Sequence, residues 1–271
     1  MPLTYPAHQA PAIALKIVRP RWFDGTALCV GAALPDLAYP FGSWLAWQSH
    51  KAMGIAVWAV PVAVAICALL RRRAAAGIFA HLPDAGPLRL RSLRVIGTRR
   101  PPLLITVWSA ALGAGSHIVI DAFTHRGWWG ARLLGLSEWP GEYVVPDILQ
   151  AVGHVVGTLA ALLLLIHIAR RGLLERWYGA PAVEAARRVD VTGRVRFWST
   201  FGLVFAVPVL VVLMVGRDPV FVGVAATVAG LLVAGWLGGE ALGTGTQGES
   251  PSRRVPSSTT STSGRLPSGG G

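Results

Sequence analysis

The chain has 271 residues, of which 53% are hydrophobic and only 14% are charged. Soluble domains carry about 25% charged residues, so this composition excludes an ordinary soluble protein. The net charge of +12 at pH 7 would suit a nucleic-acid-binding protein, but the basic residues are concentrated in segments between apolar runs, a pattern typical of membrane topology. We therefore expect a membrane protein with no nucleic-acid partner.

The apolar runs predict a series of helices. A short N-terminal helix is expected over residues 7–18, and a run over residues 26–47 is interrupted by Pro35 and Pro40. Later runs approach the ~20 residues that cross a hydrocarbon core, and they are residues 52–70, 103–123, 150–169, 200–215 and 219–237. Helices satisfy their own backbone hydrogen bonds in lipid. The sequence therefore predicts an all-α, polytopic transmembrane helix bundle with about five or six spans plus the short N-terminal helix.

The distribution of basic residues predicts the orientation. Residues 71–102 include eight basic residues and residues 170–197 include seven, whereas residues 124–149, between them, include two. Basic loops stay in the cytoplasm, so the first two loops are predicted to be cytoplasmic and the third external. This orientation places Asp121 near the external face, and the path of the N-terminal segments places His8 and Asp36 at the same level.

The sequence GAGSHIVIDAFTHRGWWG, which begins at Gly113, places ionisable groups in an apolar run. His117, Asp121 and His125 are four residues apart, and each step of four turns about 40° around a helix, so the three share one stripe. The three residues span about 12 Å along the helix, which is too far for all of them to bind one ion. The spacing agrees better with two neighbouring ions that share Asp121 as a ligand. A charged group deep in a bilayer costs ~2.5–3.5 kcal/mol, which a bound metal would offset. A polar network without metal is the alternative.

Further candidate ligands are predicted in the same outer layer. They are His8, Asp36, His50 and His154. Imidazole and carboxylate ligands suit zinc, and manganese or iron is also compatible with them. His81 and His167 are solitary and on the predicted inner side, so we expect them to contribute to helix packing and not to a metal site.

The sequence also resembles a known family at these positions. The blocks MPLTYPAHQAPAIAL, ALPDL, QSHKAMG and SHIVIDAFTH resemble those of a bacterial integral-membrane family, domain of unknown function 4184, which is itself similar to membrane-bound metal-dependent hydrolases. The resemblance covers roughly residues 1–169. The order and spacing of the candidate ligands are also similar to those of the zinc-dependent phospholipase C and single-strand nuclease superfamily.

The second resemblance implies a division of the ligands between ions. His50, His117 and Asp121 would hold one ion, and His8 with Asp121 a second. His125 and His154 would hold a third, while Asp36 would be a catalytic base or an additional ligand. The superfamily also coordinates metal with its N-terminal residue and with a Glu four residues after its last His, where this chain has an ordinary Met1 and Thr158. We therefore expect one or two ions.

These observations predict a metal-dependent hydrolase in the bacterial plasma membrane, with its site towards the external face. Its substrate would contain a phosphoester or related bond and be a lipid or a lipid-linked molecule. A non-catalytic, metal-stabilised membrane protein and a metal- or proton-coupled transporter are the alternatives.

Four regions are expected along the chain. Residues 1–169 would form a membrane-embedded metal-site domain, and residues 170–197 a basic cytoplasmic loop. Residues 198–238 would form two C-terminal transmembrane helices. Residues 239–271 are rich in Ser, Thr, Gly and Pro and are expected to form a disordered tail.

The predicted orientation can be tested by cysteine labelling. We expect the Ser137→Cys variant to react with a membrane-impermeant maleimide in intact cells, because the segment around Ser137 is poor in basic residues and is predicted to be external. Labelling that appears only after the membrane is permeabilised would contradict both the orientation and the external position of the site.

Overall fold

The structure, a computed structural model, describes residues 4–84, 88–125, 127–135, 144–187, 193–216 and 218–244. This part of the chain is helical and contains no β-strand, which confirms the all-α prediction. The α-helices are α1 (Thr4–Ala7), α2 (Gln9–Val18), α3 (Gly25–Ala33), α4 (Ser43–Ser49), α5 (Ala52–His81), α6 (Leu103–Thr124), α7 (Trp129–Leu133), α8 (Val144–Arg170), α9 (Leu173–Tyr178), α10 (Ala180–Arg187), α11 (Arg194–Met214) and α12 (Val220–Thr244). Two 3₁₀ helices cover Asp36–Phe41 and Leu90–Thr98.

Five of the described helices are long and apolar enough to cross a membrane. They are α5, α6, α8, α11 and α12. Large apolar side chains are exposed along their surfaces, for example Leu163 on α8 and Leu210 on α11. Such surfaces are stable in contact with lipid, so the chain is a multi-pass membrane protein.

The first long helix does not end where the sequence predicted. Residues 71–81 were expected to begin a cytoplasmic loop, but α5 continues to His81. Arg71, the first residue of the predicted loop, lies within this helix, and its guanidinium is paired with the buried Asp24 carboxylate, with 2.6 Å from Nη2 to each carboxylate oxygen. Thr106 Oγ1 donates a further hydrogen bond to Asp24 Oδ2 at 2.8 Å. A charge neutralised in this way can lie within a helix.

Other predicted boundaries also shift. Helix α8 begins at Val144 and α11 at Arg194, earlier than the hydrophobic runs indicated. The predicted loop over residues 170–197 contains α9 and α10. Helix α12 extends to Thr244, and the remainder of the predicted tail, residues 245–271, lies outside the described residues.

Helices α2 and α3 form a short hairpin against α6. At one end of the hairpin, the Ala32 carbonyl oxygen lies 2.7 Å from Nδ1 of His117. At the other end, the Asp24 backbone N–H donates a hydrogen bond to Ser109 Oγ at 2.9 Å. Helices α3 and α6 are in backbone contact, because a Cβ at Gly113 would overlap the Leu28 carbonyl. The close approach of these backbones fixes the position of the last two turns of α6 relative to α3.

This packing predicts a contrast between two glycines of α6. We expect Gly113→Ala to lower the free energy of unfolding by about 1–3 kcal/mol, the usual cost of overpacking. Gly115→Ala is the control, because a Cβ there meets no atom within 4 Å and alanine favours a helix by roughly 1 kcal/mol over glycine. The measurement is the thermal unfolding midpoint in detergent. Equal midpoints for the two variants would contradict the packing.

Candidate metal centre

The C-terminal end of α6 provides two neighbouring buried groups, His117 and Asp121. They are one helical turn apart, and their exposed fractions are 1% and 3%. His117 Nε2 lies 3.1 Å from Asp121 Oδ2. The four-residue spacing therefore places an imidazole and a carboxylate side by side inside the bundle, as the helical stripe predicted.

Two other elements bring Asp36 and His50 to the same place. Asp36 begins the first 3₁₀ helix, and His50 is the residue after α4. Asp36 Oδ1 lies 3.4 Å from His50 Nε2 and 3.5 Å from His117 Nε2. One ligand atom from each of Asp36, His50, His117 and Asp121 lies within 4.8 Å of all the others, and all four residues are buried. This cluster can hold a metal ion.

Both imidazoles are oriented by backbone carbonyls. His117 Nδ1 lies 2.7 Å from the Ala32 carbonyl oxygen, and His50 Nδ1 lies 2.7 Å from the Ala46 carbonyl oxygen. Each carbonyl can only accept, so Nδ1 is the protonated nitrogen of each ring. In the neutral ring, Nε2 then presents a lone pair to the cluster. Metal-ligating histidines typically have their second nitrogen fixed in this manner.

The atoms that face the centre have no hydrogen-bond geometry with each other. Among the described residues, His117 Nε2, Asp36 Oδ2 and Asp121 Oδ1 are buried without a hydrogen-bond partner. The distances of 3.1 Å from His117 Nε2 to Asp121 Oδ2 and 3.5 Å from His117 Nε2 to Asp36 Oδ1 are therefore close approaches and not directed hydrogen bonds. Tetrahedral zinc with bonds of about 2.0–2.1 Å requires ligand separations of about 3.3 Å. Four of the six separations among these ligand atoms are close to this value, at 3.1–3.7 Å.

The second oxygen of Asp121 faces a different pair of imidazoles. Asp121 Oδ1 lies 3.3 Å from His8 Nε2 and 3.5 Å from His125 Nδ1. The His8 ring is stacked on His117 with 3.9 Å between the centroids. His125 is the least buried of this group, with 30% of its side chain exposed, and its Nε2 lies 2.9 Å from Gln150 Nε2. Asp121 thus stands between two sets of histidines.

His154 lies beside this arrangement and not within it. Among the described residues, no ion-pair contact joins His154 to Asp36 or Asp121. His154 is buried and lines a cavity of about 240 Å³ together with His8 and Gln150. The structure therefore brings six of the seven sequence-predicted ligands, Asp121 among them, into one cluster and leaves His154 on the cavity wall. His81 and His167 lie on other segments, and His81 stacks on Phe197.

The charge of the cluster favours a cation. Burial raises the pKa of Asp36, but the adjacent imidazoles of His117 and His50 outweigh this effect and hold the pKa of this carboxyl well below its usual range. Burial lowers the pKa of His8, which favours the neutral ring that a metal requires. Within the described residues, neither Asp36 nor Asp121 has a Lys or Arg within ion-pair distance. Asp24, by contrast, is neutralised by Arg71.

Three features near the centre were not predicted from the sequence. Ser49 Oγ lies 3.1 Å from His50 Nδ1 and bonds to the Pro35 carbonyl oxygen, so it links two ligand-bearing segments. The Tyr5 hydroxyl is buried without a partner among the described residues. The Trp128 ring lies 5.8 Å from His50 and 5.9 Å from His125, between centroids. A sequence pattern could have indicated only Tyr5, which lies in the N-terminal block that includes His8.

Comparisons with known proteins identify the family but no characterised relative. No curated protein and no solved structure matches the chain. The model of the family described as "Domain of unknown function (DUF4184)" matches residues 1–239. The match extends beyond the residues 1–169 that carried the resemblance and includes α11 and most of α12. The chain therefore belongs to the DUF4184 family.

Proposed function

We propose that the protein is an integral-membrane, metal-dependent hydrolase that acts on a phosphoester or related bond of a lipid or lipid-linked substrate. The observation that supports this most strongly is the buried Asp36, His50, His117 and Asp121 cluster, whose ligand atoms face a common centre without hydrogen bonding to one another. Two buried carboxylates that have no Lys or Arg partner among the described residues would be costly in an apolar bundle unless a cation neutralised them.

The ligand set favours zinc, with manganese or iron as the other candidates. Asp36, His50, His117 and Asp121 Oδ2 would hold the first ion. Asp121 Oδ1, His8 and His125 would hold a second. When bound, such ions lower the pKa of a water molecule towards ~7 and polarise phosphoryl oxygens.

The cavity favours catalysis at the second ion, which would have only three protein ligands, Asp121, His8 and His125, over a purely structural role. Structural zinc sites are closed by protein ligands, whereas catalytic sites keep an open position. The 240 Å³ cavity reaches His8 and is lined largely by apolar residues of α2, α6 and α8, among them Pro11, Ile120 and Val156. A lipid chain can occupy such a lining, and the predicted topology would place its headgroup at the external face.

Asp36 can act both as a ligand and as a general base. Its Oδ1 faces the imidazoles of His50 and His117, while its Oδ2 is buried without a hydrogen-bond partner among the described residues. In the proposed reaction, Oδ2 accepts a proton from water as the water oxygen bonds to phosphorus. The ester P–O bond breaks, and the leaving oxygen takes up the proton that Asp36 Oδ2 accepted. A transporter is less consistent with the structure, because this cluster lies at one end of α6 and not across the membrane.

Metal content provides the first test. We expect purified protein to contain about one or two zinc ions per chain. Asp121→Asn should lose most of this metal, since it removes the charge shared by both sets of histidines, and His117→Ala should lose mainly one ion. The control is His167→Gln, an exposed histidine outside the cluster, which should retain the wild-type content. Elemental analysis of monodisperse protein in detergent is the measurement. If wild-type protein contains no metal, the cluster is a polar network without metal.

Turnover provides the second test. The Asp36→Asn variant keeps an amide oxygen that can bind metal but loses the carboxylate oxygen that would accept a proton. At saturating zinc we therefore expect the release of phosphate or headgroup from a panel of lipids to slow by about 10²–10⁴-fold. Asp84→Asn, at an exposed carboxylate, should hydrolyse at the wild-type rate. An unchanged rate for Asp36→Asn would refute the base assignment. A metal-loaded wild type inert on the whole panel would indicate a structural role for the metal.

A further inference from the structure

A large second cavity lies at the opposite end of α6 from the candidate metal centre. Its volume is about 1070 Å³, and it is bordered by the end of α2, the start of α6 and α9. Asp121 is in the last turn of α6 and Leu103 is its first residue, so at 1.5 Å per residue the cavity and the centre are about 27 Å apart along the helix. The two sites therefore face opposite sides of the membrane.

The lining of this cavity is strongly basic. Its cationic residues are Lys16, Arg21, Arg71, Arg99, Arg100 and Arg176. Two of them already have acceptors within the fold. Lys16 Nζ donates to the carbonyl oxygens of Pro20 and Phe23, at 2.7 and 2.9 Å, and Arg71 is paired with Asp24.

The remaining four arginines keep their charge available. Arg99 donates to the Tyr178 carbonyl oxygen at 3.4 Å and lies 5.8 Å from the centroid of the Tyr178 ring, and neither contact neutralises it. In the part of the chain that the structure describes, no carboxylate lies within ion-pair distance of Arg21, Arg100 or Arg176. All four are exposed. The cavity therefore holds an excess of positive charge.

The N-terminus of α6 adds to this positive potential. Pro101 and Pro102 line the cavity immediately before the helix, and no side chain caps the helix at Pro102. The first backbone N–H groups of a helix have no acceptor within it and carry a partial positive charge. Phosphate groups bind readily at such an end when basic side chains surround it.

Apolar residues border the basic ones. Ile105, Leu173 and Trp177 line the same cavity, and Leu103 and Leu104 beside it are largely exposed. A free phosphate ion would contact only the arginines and the helix end, whereas a phospholipid would also cover the apolar part. Basic pockets between transmembrane helices recognise anionic lipid headgroups by this combination.

We propose that this cavity binds the phosphate-bearing headgroup of an anionic phospholipid, held by Arg99, Arg100, Arg176 and the N-terminus of α6. Arg21 closes the basic rim, and Trp177 and Ile105 contact the glycerol and the start of the acyl chains. This site is independent of the metal centre and of the proposed hydrolysis.

The test is a binding titration on the full-length protein in a neutral detergent. The ligands are short-chain phosphatidylglycerol, short-chain phosphatidylcholine and inorganic phosphate, and the readout is calorimetric affinity. The test variant replaces Arg99, Arg100 and Arg176 with Gln. Its matched control replaces Arg19, Arg170 and Arg171 with Gln, three exposed arginines that do not line the cavity.

We expect phosphatidylglycerol to bind more tightly than either other ligand. Each arginine near a lipid headgroup contributes roughly a fivefold change, equivalent to ~1 kcal/mol, so the test variant should lose on the order of 100-fold in affinity. The control should stay within about twofold, and both variants should keep the wild-type metal content. Equal binding of the two lipids, or unchanged binding by a test variant with a wild-type melting temperature, would overturn the proposal. Inorganic phosphate that binds as tightly as phosphatidylglycerol would overturn the lipid assignment.

Discussion

The arrangement of the N-terminal half of the protein depends on two buried carboxylates, Asp36 and Asp121. Both face imidazoles, and within the described residues neither has a Lys or Arg partner. Ionised groups in an apolar bundle are stable only when their charge is neutralised. Asp24 shows how this chain neutralises a carboxylate by protein groups alone, with Arg71 and Thr106 bonded to it at 2.6 and 2.8 Å. The absence of such partners at Asp36 and Asp121, in the described structure, is what favours a metal ion there.

The backbone holds the imidazoles in position for this purpose. Carbonyl oxygens of Ala32 and Ala46 fix His117 and His50, and Ser49 connects the second of these segments to Pro35. The α3 carbonyl can reach His117 because Gly113 allows α3 and α6 to touch. Close packing of α3 and α6 and the orientation of the His117 ring therefore depend on each other. A wider separation of the two helices would remove the hydrogen bond that orients this ring.

Helix α6 connects two chemically opposite ends. Its C-terminal end carries acidic and imidazole groups beside a small, largely apolar cavity, and its N-terminal end opens into a large basic one. Fixed positive charge at one end would anchor the bundle against anionic headgroups, and the positive-inside rule predicts that this end is cytoplasmic. A helix held in this way keeps the candidate metal centre at a constant depth near the other face, which is where a lipid-linked substrate of the proposed hydrolase would present its headgroup.

Hydropathy and helical periodicity are local properties, so the amino-acid sequence predicted the class of protein, the approximate spans and the stripe of His117, Asp121 and His125. The sequence also predicted that His8, Asp36 and His50 lie at the same depth in the membrane, because the number of basic residues in each loop predicts the orientation of whole segments. Depth alone does not say which side of a helix faces which neighbour. Only the tertiary structure brought Asp36 Oδ1 to His50 and His117, excluded His154 from contact with the acidic pair, and paired Arg71 with Asp24. Those contacts depend on the rotation of each helix about its axis and on backbone carbonyl groups. Every residue has a backbone carbonyl, so these groups leave no signal in the sequence.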